Sequence, residues 1–469
     1  MSNSDARTNS KLAGHRISTS PKIQKLISEL VSAVREEESA LQTTRDPLPE
    51  ALDNGQHSFD DIAKYRGRPL QYRFVGTGAG RGPYVEVEDG AIKMDLINGI
   101  GVHLFGHGHP KIREAAVRGA LSDVVQQGNL GPNHEYMELS KKLVELASKK
   151  SRLKYAWFAT CGTMANETAL KIARQKNTPA KLIIAMENAF AGRSTMMAEV
   201  TDNPAYKEGL PNYNEVLRIP WYDAKNPRSS EEILRKFRDI VAANPKQVAA
   251  FTFEPMLGEG GYRTAPREFF VPILEFCREQ KIAVWADEVQ TFMRTGELFA
   301  FETLSIGQYI DICTIAKTLQ TGATLYTEEY NPKPGLVAGT FSGSSASLAS
   351  GMAAIEIITQ EGYLGKTGKI QKLHENFVAM LNRLNETTCK GQIREAGGMG
   401  LMIAATPLDG SKDKVNKLLQ VLYKNGMIAF SCGRDPYRLR FLIPAILEQK
   451  DIDLAGNILE KSILEMMQS

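Results

Sequence analysis

The chain lacks several features that would assign it to a specialised class of protein. Its five cysteines are an odd number and include no CxxC pair, so neither a disulfide framework nor a cysteine zinc site is indicated. Its 57 basic and 54 acidic residues leave a net charge of +3 and form no basic block. This argues against nucleic acid or an anionic membrane as a partner. A reducing, cytoplasmic setting is expected.

Long apolar runs are also missing. The apolar stretches are a few residues long and interrupted by charges, so no membrane-spanning helix is predicted. The first twenty residues are polar and lack the apolar centre of a secretory signal. They are rich in serine and carry Arg7, Lys11 and Arg16, which leaves a transit peptide open as an alternative to a disordered terminus.

What is present is an ordinary globular composition, with 42% apolar and 24% charged residues. The length predicts two domains and an extra segment. Residues 1–70 are interpreted as an N-terminal extension, disordered to about residue 20 and carrying one helix that begins at Ser20-Pro21. Residues 71–115 with 345–469 are expected to form a small α+β domain, and residues 116–344 a large domain.

The middle of the chain alternates short apolar runs with amphipathic stretches of helical length. This pattern predicts βαβ units and a mainly parallel sheet covered on both faces, the α/β class. A hairpin with its turn at Asp89-Gly90 precedes this region. The predicted strands are Tyr155–Ala159, Leu182–Ala185, Val248–Phe253, Ile282–Ala286 and Ile312–Ala316, and the predicted helices include 165–174, 231–241 and 269–280.

Polar residues stand where four of these strands end. Glu254, Asp287 and Lys317 each follow a predicted strand, and Cys161-Gly162-Thr163 follows another and opens a helix. Ligands of open α/β sheets bind at the carboxyl ends of the strands, so these residues should converge on one edge.

Together these residue types suit an anionic aromatic cofactor that contains nitrogen. The helix start provides N–H groups and a dipole for a phosphate. Asp287 provides a carboxylate for a pyridinium nitrogen, and Lys317 provides an amine for a Schiff base. Phe190 provides a ring that can stack on the cofactor.

These residues resemble the signature segments of class III aminotransferases. The matching segments run in order between roughly residues 70 and 460, and they are Gly106–Pro110, Trp157–Arg174, Glu254–Gly261, Asp287–Gly296 and Arg440–Pro444. The resemblance implies an α/β structure of PLP-dependent transferase fold type I. It also implies a homodimer that uses pyridoxal 5′-phosphate (PLP).

The same resemblance implies roles for individual residues. Lys317 is expected to bind PLP as a Schiff base and to move the proton, with Asp287 on the pyridine nitrogen and Glu254 supporting the lysine. These three form the expected catalytic set. The expected cofactor-binding residues are Cys161, Gly162, Thr163, Phe190, Asp287, Gln290, Lys317 and Thr340, the last acting from the partner subunit.

Substrate recognition is expected from three residues by the same comparison. Arg440 resembles the arginine that binds the α-carboxylate of glutamate and 2-oxoglutarate, and Glu259 its alternating ion-pair partner. Arg193 resembles the arginine for a second carboxylate. The chain departs from the family at Met164 and Ala191, and it is one residue shorter around Phe292-Met293. These departures lie near the substrate mouth and leave the donor open.

Three functions are compatible with these observations. The first is transfer of an ω-amino group from a donor of the 4-aminobutyrate, ornithine, N-acetylornithine or lysine type to 2-oxoglutarate, which gives glutamate. The second is an aminomutase, decarboxylase or racemase on the same fold, which Arg440 with Glu259 disfavours because alternating partners serve two different substrates. The third is a binding or scaffold protein without activity, which the presence of Lys317 and Asp287 disfavours.

Two further patterns are interpreted as structural. The stretch Gly76–Gly82 has the composition of a phosphate loop without the flanking strand and helix of a nucleotide fold, so an ordinary loop is predicted. His103, His107 and His109 cluster without a carboxylate or cysteine at useful spacing, and no metal is expected there.

Overall fold

The computed structural model describes residues 12–122 and 130–468. The helices are α1 Ala13–Thr19, α2 Pro21–Glu37, α3 Leu52–Arg66, α4 Asn98–Gly101, α5 Pro110–Ala120, α6 His134–Ala147, α7 Gly162–Lys176, α8 Thr195–Val200, α9 Ser229–Ala243, α10 Arg267–Glu279, α11 Ala300–Thr303, α12 Ser345–Gln360, α13 Lys369–Glu386, α14 Lys412–Lys424 and α15 Gln449–Gln468. None of them, over the described residues, is long and apolar enough to cross a membrane.

The strands form one large sheet and smaller ones. They are β1 Gly76–Arg81, β2 Tyr84–Val87, β3 Ile92–Asp95, β4 Tyr155–Ala159, β5 Leu182–Met186, β6 Val216–Ile219, β7 Val248–Phe253, β8 Met256–Leu257, β9 Arg263–Thr264, β10 Ala283–Asp287, β11 Ile312–Ile315, β12 Gly322–Tyr326, β13 Ile393–Met399, β14 Met402–Pro407, β15 Met427–Ile428, β16 Phe430–Cys432 and β17 Arg438–Leu442.

The large sheet has the strand order β4-β12-β11-β10-β7-β5-β6. Its strands are parallel except β12, which runs antiparallel to both β11 and β4. Strands β4, β5, β7, β10 and β11 therefore end at the same edge. Both β7 and β10 are buried along their whole length, as expected for parallel strands with both faces covered. The α/β class and the five predicted strands of this region are confirmed.

The smaller sheets join segments that are distant in sequence. The hairpin of β2 and β3, predicted from its turn, is confirmed, and β3 also pairs in parallel with β15. A second sheet has the order β13-β14-β17-β16 and carries Arg440 on β17. The proposed domain boundaries themselves stay a prediction.

The predicted N-terminal extension contains more helix than expected. Residues 1–11 lie outside the described residues, but α1 occupies part of the stretch predicted to be disordered, and α1, α2 and α3 replace the single predicted helix. A hydrogen bond of 3.0 Å from Gln24 Nε2 to Ser18 O ties α1 to α2. No residue of α3 is buried, and Gly67 ends it at a φ of 81°.

An ion pair attaches the extension to the rest of the chain. Helix α2 begins at the predicted Ser20 cap and buries Ile27 and Val31. Just after it, the Glu38 carboxylate accepts two hydrogen bonds of 2.8 Å from the Arg113 guanidinium on α5. Glu38 is only 4% exposed, so this contact is shielded from water.

The glycine-rich stretch was wrongly predicted to be a loop, because residues 76–81 form β1 and pair antiparallel with β2. An irregularity in the pairing between Gly76 and Gly80 absorbs Gly78, whose φ is 93°. A Cβ on Gly80 would lie 2.8 Å from the His107 Cβ, so the strand needs glycine there to pack.

Candidate active site

A cleft of about 340 Å³ lies at the edge where β4, β5, β7, β10 and β11 end. The predicted site residues that line it are Cys161, Gly162, Thr163, Phe190, Glu254, Glu259, Asp287, Gln290 and Lys317. The ends of these strands therefore bring the expected side chains together. Arg440 does not line the cleft itself but contacts Glu259, which does. Arg193 and Thr340 are not part of the cleft wall.

One end of the cleft is formed by the start of α7. Cys161 is the N-cap residue of this helix and makes no side-chain capping bond. A Cβ on Gly162 would lie 2.6 Å from Val289 Cγ1, and a Cβ on Gly192 would lie 2.4 Å from Thr163 Oγ1. Because Gly162 and Gly192 have no side chain, the neighbouring residues can pack closely at this end of the cleft and the backbone is exposed to it. Such a geometry suits a phosphate at a helix start.

The carboxylate of Asp287 lies in the floor of the cleft. Its Oδ1 accepts a hydrogen bond of 3.0 Å from Val289 N, and its Oδ2 accepts one of 2.7 Å from Asn166 Nδ2. Burial raises the pKa of Asp287 to about 6, against the opposing effects of these donors and of Lys317. The site therefore holds a carboxylate whose charge depends on its hydrogen bonds.

Lys317 follows β11 and is held in a left-handed conformation. Its φ is 52°, and Gln320, three residues later, has a φ of 66°. A non-glycine residue at positive φ is strained, and such strain is common at functional sites. Burial lowers the pKa of Lys317, so more of the amine is uncharged than in water. Gln320 was not predicted to belong to the site, yet it lines the cleft and donates a hydrogen bond of 3.0 Å from Nε2 to Val102 O.

Glu254 is a buried carboxylate next to the cleft. It accepts hydrogen bonds from Gly258 N at 2.9 Å and Phe190 N at 3.1 Å. Burial, and secondarily the charge of Asp287, raise its pKa to about 8. Glu254 therefore takes up a proton well above the usual range of a carboxylic acid.

Arg440 and Glu259 form a close ion pair at the substrate side of the cleft. Arg440 Nη1 lies 2.5 Å from Glu259 Oε1, and the arginine side chain is 4% exposed while the glutamate is 29% exposed. Burial alone would lower the pKa of Arg440, but the Glu259 carboxylate and Tyr262 outweigh that effect and raise it. The pairing predicted from sequence is present in the geometry.

Two predicted residues lie away from the cleft wall. Arg193 is exposed, and its guanidinium stands 3.7 Å from the centre of the Tyr206 ring, which in turn contacts the edge of Phe190. Thr340 is exposed as well. Arg193 lies in the loop between β5 and α8, so the strand ends do not fix its position.

Two other buried polar residues near the cleft were not predicted from the sequence to have a role. Asn166 is 1% exposed and bonds Asp287, and Glu288 is fully buried and accepts bonds from Ala300 N at 2.6 Å and Phe301 N at 2.9 Å. Burial raises the pKa of Glu288 to about 8. The signal for Asn166 was a polar residue within the apolar stripe of α7, beside Ala165 and Ala169.

The histidine cluster was wrongly expected to lack a carboxylate neighbour. The rings of His103 and His107 stand 4.3 Å apart, and His107 Nε2 lies 3.0 Å from Asp95 Oδ2. Asp95 is the last residue of β3, and the fold brings it into contact with His107 although twelve residues separate the two in sequence. The same carboxylate accepts bonds from Ile97, Asn98 and Gly99 N–H groups, so it supports the left-handed turn α4 before Val102.

The residues of the cleft fit PLP. The glycine-lined helix start can hold a phosphate, Asp287 can face a ring nitrogen, and Lys317 can reach the carbonyl carbon. Gln290 Oε1 is buried without a hydrogen-bond partner in the described residues, which leaves it for a group of the cofactor. Phe190, which also lines the cleft, can cover the ring.

Comparison with known proteins agrees with this geometry. The aminotransferase class-III pattern matches residues 70–463. The acetylornithine aminotransferase of Methanocaldococcus jannaschii is 32% identical over 400 residues, 82% of this chain and 93% of that protein. The probable 4-aminobutyrate aminotransferase of Bacillus subtilis is 31% identical over 396 residues, 80% of this chain and 89% of that protein.

The fold agrees with solved structures. A PLP-bound amine transaminase from an uncultivated Pseudomonas species superposes with a TM-score of 0.75 at 20% identity, covering 82% of this chain and 94% of that one. The likeness shows fold type I, with its large parallel sheet and helices. From the family match over five-sixths of its length, the chain belongs to the class III aminotransferases and is a PLP-dependent enzyme that moves amino groups between a small-molecule amine donor and a keto acid.

Proposed function

We propose that the enzyme takes the ω-amino group of a donor of the 4-aminobutyrate, ornithine, N-acetylornithine or lysine type and transfers it to 2-oxoglutarate. The donor becomes an aldehyde, and 2-oxoglutarate becomes glutamate. We further propose that it works as a cytoplasmic homodimer, with Thr340 of one subunit serving the phosphate of the other. The observation that carries the proposal is the Arg440–Glu259 ion pair beside Lys317.

The ion pair accounts for two substrates of different charge in one cleft. When the acceptor enters, its α-carboxylate can replace Glu259 on the Arg440 guanidinium, a bidentate contact. When an ω-amine enters, no carboxylate stands next to the reacting carbon, and Glu259 compensates the buried charge of Arg440 instead. A buried arginine left without an anion would be strongly unfavourable. Arg193 at the mouth is proposed to receive the second, distal carboxylate.

The residues around Lys317 are proposed to position the cofactor and move a proton. Cys161, Gly162 and Thr163 would hold the phosphate, Gln290 the ring hydroxyl, and Phe190 the face of the ring. PLP, when bound, supplies an electron sink that stabilises negative charge on the substrate carbon. Lys317 Nζ would take the proton from that carbon and return it, which the lowered pKa of its amine favours. Glu254 would hold Phe190 through its backbone N–H.

The test is the absorbance spectrum of the loaded protein while amines and keto acids are added one at a time. Addition of the donor should shift the band of bound PLP, and 2-oxoglutarate alone should restore it with formation of glutamate. Lys317→Ala should show neither change. Conversion of a single amino acid without any keto acid would contradict the proposal and favour an aminomutase, decarboxylase or racemase.

A further inference from the structure

Asn166 makes two short hydrogen bonds inside the site. It lies on the buried face of α7 and is 1% exposed. Its Nδ2 is 2.7 Å from Asp287 Oδ2 and 2.7 Å from the carbonyl oxygen of Ala191. An amide nitrogen carries two hydrogens, so both bonds form together. Asn166 thus links the carboxylate in the cleft floor to the segment that carries Phe190.

The orientation of this amide follows from its neighbours. A backbone carbonyl only accepts hydrogen bonds, so the amide nitrogen must face Ala191 O, and the same nitrogen then faces Asp287. The amide oxygen, Oδ1, is buried with no hydrogen-bond partner in the described residues. A buried unpaired oxygen is unfavourable, which is unexpected for a residue that serves packing alone. The two hydrogen bonds that Asn166 donates, to Asp287 and to Ala191, therefore account for an asparagine at this position.

The surroundings of Asp287 show why a donor matters there. Burial is the main influence on this carboxyl and disfavours its charge, while Val289 N–H, Asn166 and the Lys317 amine favour it. Among the described residues, the Glu254 carboxyl and the buried Cys313 thiol also interact with Asp287, and neither supplies positive charge. With a pKa already raised to about 6, loss of one donor would move protonation into the neutral range.

We propose that Asn166 is a positioning residue that orients the Asp287 carboxylate and keeps it charged, so that it can serve the ring nitrogen of PLP. The inference rests on the proposed role of Asp287. Through Ala191, the same amide sets the separation between that carboxylate and the wall that carries Phe190. Asn166 does not contact the reacting carbon, and its effect is exerted through Asp287.

The experiment measures PLP affinity of the apoenzyme between about pH 5.5 and 9, by fluorescence, for the wild type and Asn166→Leu. Leucine keeps the shape of asparagine and removes the donor. The dissociation constant of the variant should rise about tenfold near neutral pH, because a protonated Asp287 cannot pair with a protonated ring nitrogen. The acidic limb of the affinity profile should move to higher pH, and the affinity should recover at alkaline pH.

The chain offers a matched control on the same helix. Asn177 at the end of α7 donates a hydrogen bond of 2.7 Å from Nδ2 to Ala249 O and has no contact with Asp287. Asn177→Leu should leave the acidic limb where it is. Asn166→Ala, which leaves room for a water, should move the limb less than Asn166→Leu.

The outcomes separate this inference from the proposed function. An affinity that is unchanged, or that is weakened equally at every pH, would overturn the positioning role, and thermal unfolding of both variants shows whether they fold. If Asn166→Leu does not fold, the test is whether the acidic limb of the PLP-affinity profile moves to higher pH in Asn166→Ala. A wild-type enzyme that binds PLP and transfers no ω-amino group would refute the proposed function and leave the Asn166 inference standing.

Discussion

The two sides of the cleft are built in different ways. On the cofactor side, which comprises Cys161–Thr163, Asp287 and Lys317, every residue lies at the end of a strand of the large sheet or within a few residues after it. On the substrate side, Glu259 and Arg193 come from two separate loops and Arg440 comes from the second sheet. The cofactor side is therefore fixed by one element of architecture, whereas the substrate side depends on how separate parts pack together.

The largest expected effect is on the cofactor side. Lys317→Ala removes the amine that would bind PLP and move the proton, so we expect kcat to fall by about 10³-fold or more. Rapid-reaction absorbance measurements of each half-reaction should show both slowed alike. Retention of one half-reaction at its normal rate would contradict the shared role of Lys317.

Arg440→Ala should affect one substrate far more than the other. Removing the guanidinium leaves the Glu259 carboxylate unpaired and takes away the α-carboxylate contact, so KM for 2-oxoglutarate should rise about 100-fold. The matched variant Glu259→Gln should impair the ω-amine half-reaction more than the keto-acid half-reaction. Equal losses for both substrates in both variants would mean that the ion pair is only structural.

The raised pKa of Glu254 predicts a pH dependence of stability. Its pKa of about 8 in the folded protein exceeds the ordinary value of 4.5, so the favourable contribution to folding is complete below about pH 4.5 and is lost as the pH rises from there to about 8. Glu254→Gln should therefore gain stability relative to the wild type as the pH rises from 5 to above 8, as measured by thermal unfolding of the apoprotein. A cost that does not vary with pH is expected in addition, because the glutamine NH₂ would face one of the two backbone donors, Gly258 N or Phe190 N. A difference that is constant with pH would contradict the assignment.

The smallest effect is expected at the mouth. Arg193 is exposed and rests on Tyr206, so Arg193→Ala should raise KM for a substrate with a distal carboxylate only about three- to tenfold, without changing kcat. Arg278, which stands 5.0 Å from the Tyr309 ring and does not line the cleft, provides the matched exposed arginine. An equal effect of Arg278→Ala would remove the proposed role of Arg193.

The same contrast explains which parts of the fold and of the site could be predicted from the sequence. Apolar runs predict strands, and the residue after each run must lie at the sheet edge, which is why Asp287 and Lys317 could be placed beforehand. Arg440 could be paired with Glu259 only through the family resemblance, because 181 residues separate them and no periodicity connects them. The strand at Gly76–Arg81 was missed because it carries no apolar pattern and is held by its pairing with β2, and helix α3 was missed because it buries no side chain.

The Glu38–Arg113 ion pair has a consequence for anyone who trims this protein. Arg113 lies inside the region shared with other class III aminotransferases, and Glu38 lies well before it. A chain shortened to start at residue 70 would keep the arginine, lose its anion and uncover the surface on which Ile27 and Val31 pack. The boundary suggested by family alignment is thus a poor choice for producing a stable shortened enzyme.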